Sequence, residues 1–136
     1  MRARDIMGSP VVGLTGHATI EEAAELMMDR GYTTIPVLTE HGELLGVLTE
    51  AELGRARFMP GAHDDALGGG AATGLRPRLV RQVMRPTASV PTDAGLPEVA
   101  GVMVNARQRC LPVLDGGRIV GMISWRDLLA HLVPLH

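Results

Sequence analysis

Apolar residues along this chain fall into two patterns that alternate. Ile20, Ala23, Ala24, Met27 and Met28 stand at i, i+3, i+4, i+7 and i+8, which makes one face of a helix. Thr19 and Glu22 frame its start as a capping box, and Gly31 suits its end. Residues 34–38 and 44–48 are short apolar runs, and Glu40-His41-Gly42-Glu43 between them reads as a hairpin turn. A short helix carrying Leu53 follows. The same succession then returns. Leu96, Val99, Ala100, Met103 and Val104 form a second helical face. Residues 110–114 and 119–123 form a second strand pair around Asp115-Gly116-Gly117-Arg118, and a short helix carries Leu128. Pro97 falls in the first turn of its helix, where a missing N–H costs little. Pro36 and Pro112 cannot donate to a ladder, so one edge of each of their strands should be open or irregular.

The recurrence is an internal repeat. Asp5-Ile6-Met7 parallels Gln82-Val83-Met84, at an offset of 77. Ile35-Pro36-Val37-Leu38 parallels Leu111-Pro112-Val113-Leu114 at 76, and Gly46-Val47-Leu48-Thr49 parallels Gly121-Met122-Ile123-Ser124 at 75. Three markers in one order at nearly constant offset indicate duplication. Each half reads strand–helix–strand–strand–helix, too small to be comfortable alone. Two such halves facing each other would bury both apolar faces. The expected divisions are residues 1–57, a linker at 58–78, and residues 79–136. Gly68-Gly69-Gly70-Ala71-Ala72-Thr73-Gly74 marks the linker as a flexible surface loop.

Composition narrows the function classes. Hydrophobic residues make up 46% of 136 residues and aromatics only 2%, so the core must be built from Val, Leu, Ile, Ala and Met. Thirteen basic against fifteen acidic residues give a net charge of -2. With no basic run and no interleaved aromatics, no nucleic-acid surface is expected. No apolar run reaches the roughly 18 residues that span a bilayer, and the N-terminus lacks the apolar stretch of a signal peptide. One cysteine, Cys110, excludes an internal disulfide, and in a predicted strand it reads as a small buried apolar residue. The expectation is a soluble cytoplasmic protein. His17, His41, His63, His131 and His136 are neither spaced at i, i+4 nor clustered with cysteine, so no metal site is expected. No nucleophile–base pair or paired carboxylate stands out, which argues against an enzyme.

Chemistry concentrates at two strand-to-helix junctions, Gly46-Val47-Leu48-Thr49-Glu50-Ala51-Glu52 and Gly121-Met122-Ile123-Ser124-Trp125-Arg126-Asp127. Each places a hydroxyl at a helix start and a carboxylate three residues on. That spacing is a capping box. The free N–H groups and dipole of such a helix start also favour an anion or a carboxylate.

An Asp-Ile-Met-like start, a Thr-Ile-Glu-Glu-Ala-Ala helix, an Ile-Pro-Val strand and a Gly-x-x-(Thr/Ser)-x-x-acid ending together resemble a tandem cystathionine-β-synthase (CBS) domain pair, over nearly the whole chain. The resemblance implies an α/β fold of α+β type. Two CBS motifs of about β-α-β-β-α, related by a pseudo-twofold axis, would pack as a Bateman module. It further implies a stand-alone regulatory sensor without catalysis, binding an adenosine-containing ligand in clefts between the motifs. AMP, ADP or ATP are favoured over S-adenosylmethionine. A homodimer through the CBS-pair helices is implied too, and a regulated partner protein whose identity stays open. Ser124 and Asp127 match the family's ribose-and-phosphate motif. Arg109 lies where the family places a basic side chain near phosphates, and Arg126 is a further candidate. From the first copy, Tyr32, Thr33 and Ala18 would line the same site, Tyr32 against an adenine face or simply in the core. Thr49 and Glu52 form a candidate second site. There, Glu stands where the family usually has Asp, and Thr33 supplies no charge where the second copy has Arg109. These departures point to one competent site. They also keep open an alternative, a non-binding dimerisation module with degenerate clefts.

Overall fold

The computed structural model describes residues 1–59 and 77–133. The Gly-rich stretch 68–74, most of the 58–78 linker, His63 and His136 lie outside the described residues. The fold is mixed α+β, with two three-stranded sheets. After α1 (Ala3–Ile6), the first copy runs β1 (Leu14–Thr15), α2 (Ile20–Arg30), β2 (Thr34–Leu38), β3 (Leu44–Thr49) and α3 (Glu50–Phe58). After a single 3-10 turn at Val80–Gln82, the second runs β4 (Val90–Pro91), α4 (Leu96–Ala106), β5 (Cys110–Asp115), β6 (Arg118–Ser124) and α5 (Trp125–Leu129). The sheet orders are β1-β2-β3 and β4-β5-β6.

Local sequence explains the element ends. At α2 the Glu22 N–H donates to Thr19 Oγ1 at 3.0 Å, and the Thr19 N–H donates to Glu22 Oε1 at 3.1 Å. Gly31 ends the helix with φ 70°. In α4 the same left-handed position is held by Arg107 at φ 56°, a conformation that costs an L-residue about 1–2 kcal/mol. Gly116 and Gly117, at φ 59° and 86°, turn the second hairpin.

Pro36 and Pro112 sit in the central strand of each sheet and are fully buried. The parallel outer strands, β1 and β4, are too short to reach them. β1 pairs in parallel only with Val37 and Leu38, and β4 only with Val113 and Leu114. The missing N–H therefore faces a position without a ladder partner, as expected of an irregular edge. The helical faces are narrower than their spacing suggests. Ile20, Ala23 and Met27 are buried, whereas Ala24 is exposed and Met28 is 83% exposed. In α4, Val99 and Met103 are buried and Val104 is 62% exposed.

Packing divides the chain into two units that do not follow chain order. One holds residues 1–12, 41–44 and 87–136; the other holds 13–40 and 45–86. In the first unit, Ala3 joins Val90, Val99, Met103, Leu111, Val113, Ile123 and Leu128 in one core, with Ile6 and Met7 against it. The Ala3 N–H donates to Ala94 O at 2.8 Å and the Arg4 N–H to Thr92 O at 3.0 Å. In the second unit, Val80 and Val83 join Ile20, Ala23, Met27, Ile35, Val37, Leu48 and Leu53. There the Val80 N–H donates to Ala18 O at 2.8 Å and the Ile20 N–H to Arg78 O at 3.0 Å. Burying each large side chain stabilises its unit by about 1.5–3 kcal/mol.

Each unit also ties a short segment to its last strand. Gly8 N–H donates to Met122 O at 2.7 Å and Met122 N–H to Gly8 O at 3.1 Å. Val47 and Arg85 exchange the same pair of bonds, both at 2.9 Å. A glycine stands beside each bridge, Gly46 before Val47 and Gly121 before Met122. A Cβ at Gly46 would lie 2.5 Å from the Arg85 carbonyl oxygen. A Cβ at Gly121 would instead meet the flexible Met7 side chain. Gly46→Ala is therefore expected to lower the unfolding free energy by about 1–3 kcal/mol in urea melts. Gly121→Ala should cost less, because Met7 can change rotamer. Equal losses would show that backbone approach is not the constraint at Gly46.

Candidate functional site

In the first unit β6 ends at Ser124, which caps α5. One carboxylate oxygen does the reciprocal work. Asp127 Oδ2 accepts the Ser124 N–H at 2.7 Å and the Ser124 hydroxyl at 3.0 Å, while the Asp127 N–H donates to Ser124 Oγ at 3.4 Å. Among the described residues, Asp127 Oδ1 accepts no hydrogen bond. The Trp125 N–H donates to the Arg109 carbonyl at 3.2 Å, so the start of β5 is fastened to the start of α5. The Arg109 and Arg126 side chains are exposed, and among the described residues neither has an ion-pair partner. Ser124, Trp125 and Asp127 are half-buried.

Cys110 stands opposite Ser124 in the β5–β6 ladder. Cys110 is half-buried; that burial, and then the negative charge of Asp127, push its thiol from 9.0 up to about 11. The thiol is a neutral wall of the junction, in keeping with its reading as a small apolar residue. Its nearness to Asp127 is a pairing that strand register, not residue type, creates.

The second unit builds the same junction from different residues. The Glu50 N–H donates to the Thr33 carbonyl at 3.3 Å, repeating the Trp125–Arg109 bond. Thr49 caps α3, and the Glu52 N–H donates to Thr49 Oγ1 at 3.5 Å. The Thr49 hydroxyl donates to Glu52 Oε1. Glu52 is the one buried charged residue among those described, and Arg85 Nη1 lies 3.6 Å from its Oε2. Tyr32 is half-buried and packs against this unit's core. Thr33 is exposed. Ala18 is buried, and both of its backbone groups are bonded, its N–H to Thr15 O at 3.1 Å and its carbonyl by the Val80 N–H at 2.8 Å.

Ser124, Asp127, Arg109 and Arg126 thus gather at one junction, and Thr33, Thr49 and Glu52 at the other, with Tyr32 adjoining. Arg85 was not among the expected site residues. Its signal was the repeat itself, since the offset of 77 carries Gly8 onto Arg85. Among the described residues no three His, Cys, Asp or Glu side chains gather as a metal site.

A family model described as "CBS domain" matches residues 3–57 and 80–134. Hypoxic response protein 1 of Mycobacterium tuberculosis is 28% identical over 137 residues, covering 98% of this chain and 86% of that protein. A crystal structure of Hypoxic Response Protein I with two coordinated zinc ions superposes with a TM-score of 0.76 at 26% identity, over 98% of this chain and 100% of that one. The A-adding tRNA nucleotidyltransferase of Aquifex aeolicus is 24% identical over 130 residues, but the chain spans only 14% of that enzyme. The structure of CBSX2 in complex with AMP gives a TM-score of 0.80 at 21% identity, over 96% of this chain and 95% of that one, a likeness of fold.

The raised thiol makes a prediction with a defined sign. Between about 9 and about 11 the unfolded chain ionises Cys110 while the folded chain keeps it neutral. The unfolded state then binds fewer protons, so stability present below pH 9 is lost as pH rises toward 11. The loss should be on the order of 2 kcal/mol in pH-dependent urea melts and should shrink in Cys110→Ala. Iodoacetamide should label the native thiol at least about tenfold more slowly than the unfolded one. Equal labelling rates would contradict the burial.

Proposed function

The chain belongs to the CBS domain family, and from that premise we propose that it is a regulatory sensor of an adenosine-containing ligand, bound at the Ser124–Asp127 junction. The observation that carries this reading is Asp127 itself. One carboxylate oxygen holds the helix cap and the other accepts no bond among the described residues. A ribose hydroxyl can donate to Oδ1 without dismantling the cap. Arg109 and Arg126 offer exposed guanidinium groups for phosphates beside it. AMP, ADP and ATP fit this pairing better than S-adenosylmethionine, which carries no phosphate. The AMP bound to CBSX2, a protein of the same fold, supports the ligand class. Roles for Tyr32, Thr33 and Ala18 rest on the family resemblance.

The ligand would act by favouring one arrangement of the protein over another, which a partner protein reads. Catalysis is not part of the proposal. The enzymes among the relatives are far longer than the matched segment. Met28 and Val104, exposed on α2 and α4, support a homodimer through these helices. No described helix is long and apolar enough to cross a membrane. The single cysteine supports a reducing, cytoplasmic setting.

A second reading, a dimerisation module that binds nothing, is favoured by one observation. Ser124 and Asp127 already satisfy each other as a capping box. Calorimetric titration with AMP, ATP and S-adenosylmethionine separates the two readings. Binding of AMP or ATP is expected, weakened about tenfold or more in Asp127→Asn, which corresponds to about 1.4 kcal/mol for a lost charge-assisted hydrogen bond. No heat with any ligand, and a melting temperature unmoved by millimolar nucleotide, would select the second reading.

A further inference from the structure

We infer that Arg85 closes the first junction to nucleotide by occupying the Glu52 carboxylate, so that the chain has one nucleotide site, at Ser124–Asp127, and not two. The inference rests on the function proposed above and names what sets its site count. It comes from comparing the two units position by position. Gly8 and Arg85 are equivalent by the repeat offset of 77, and Met122 and Val47 by 75. The structure confirms the equivalence, because Gly8 bridges Met122 as Arg85 bridges Val47. The bridging residue is thus a glycine in one unit and an arginine in the other.

That difference decides the state of the acid. Glu52 has both oxygens engaged, Oε1 by the Thr49 hydroxyl and Oε2 by Arg85 at 3.6 Å. Its side chain is 6% exposed. In the other unit the bridging residue is a glycine with no side chain to offer Asp127, and Asp127 Oδ1 accepts nothing among the described residues. A ribose approaching Glu52 would have to displace an ion-paired guanidinium and leave a neutral hydroxyl at a buried carboxylate, an unfavourable exchange. The Arg85 backbone is held beside Val47, because its N–H and carbonyl are both bonded to it at 2.9 Å. The longer Glu side chain is what lets the carboxylate sit buried and meet the guanidinium.

The test counts sites. Wild-type protein titrated with AMP should bind one nucleotide per chain. The double variant Arg85→Gly with Glu52→Asp copies the Gly8–Asp127 arrangement and should bind two. Adding Asp127→Asn to it should leave one. Trp125, the single tryptophan, adjoins Ser124, so its fluorescence should report binding at the wild-type site. Glu52→Gln, which keeps the hydrogen bond to Thr49, should change wild-type affinity less than twofold. This variant keeps the inference falsifiable if the double variant does not melt cooperatively. Two sites in wild type, one site in a folded double variant, or at least tenfold weaker binding in Glu52→Gln would each overturn the inference. The last result would mean that Arg85 and Glu52 serve a ligand. No AMP bound by wild type or double variant would instead defeat the proposed function, and the inference with it.

Discussion

A pair of backbone hydrogen bonds, made once in each unit, constrains most of what surrounds it. Val47 pairs with Arg85 and Met122 with Gly8. Each bridge adds a short segment to the edge of a three-stranded sheet and meets two of its otherwise unpaired backbone groups. Approach at this distance excludes a side chain at Gly46, where a Cβ would lie 2.5 Å from the partner carbonyl. The bridge also fixes which side chains enter each core. Met84 packs beside Val80 and Val83 in one, and Met7 beside Ala3 in the other. Finally, it sets residue 8 or 85 beside the strand that delivers the acid. Fold and site chemistry share one pair of hydrogen bonds.

The bridge explains why packing units and sequence repeats partition the chain differently. Asp5-Ile6-Met7 opens the first copy, yet Ile6 and Met7, with Ala3, pack with the second copy's strands. Val80 and Val83, at the start of the second copy, pack with the strands of the first. Each sheet therefore packs with the segment that opens the other copy. Neither half of the sequence carries all of the apolar residues that its own sheet buries. Severing the chain within the linker would separate each sheet from part of its core.

Much of this was legible in the sequence, and what was not has definite causes. The elements followed from periodicity, and Thr19, Glu22 and Gly31 fixed the ends of α2. The repeat offsets gave the two junctions. Helix faces were overestimated, because spacing places Met28 and Val104 near the apolar stripe but does not say how wide a stripe the sheet covers. The segment exchange was invisible, since periodicity carries no information about which sheet a short segment joins. Among candidate site residues, Ser124 and Asp127 were readable because spacing determines their contact. The spare oxygen of Asp127 was not, because spacing cannot say which lone pairs a cap consumes. Arg85 was hidden for a simpler reason. It lies 33 residues beyond Glu52 in sequence and meets it only through the bridge to Val47.

The two junctions show how duplication with small change can divide labour. Both keep the hydroxyl cap and the bond that ties the helix start to the neighbouring strand, Trp125 to Arg109 and Glu50 to Thr33. Both therefore keep the fold. They differ where the fold is indifferent, in a methylene on the acid and in a side chain or none on the bridging residue. Lengthening Asp to Glu moves the carboxylate from a half-buried to a buried position, where an unpaired charge would be costly. An arginine on the bridging strand offsets that cost, and its aliphatic stem can reach inward while 64% of the side chain stays in solvent. The opposite unit needs no such partner, because Asp127 divides its two oxygens between the cap and the open side. The same structural element is a closed ion pair in one copy and an available acceptor in the other, and two substitutions account for the difference.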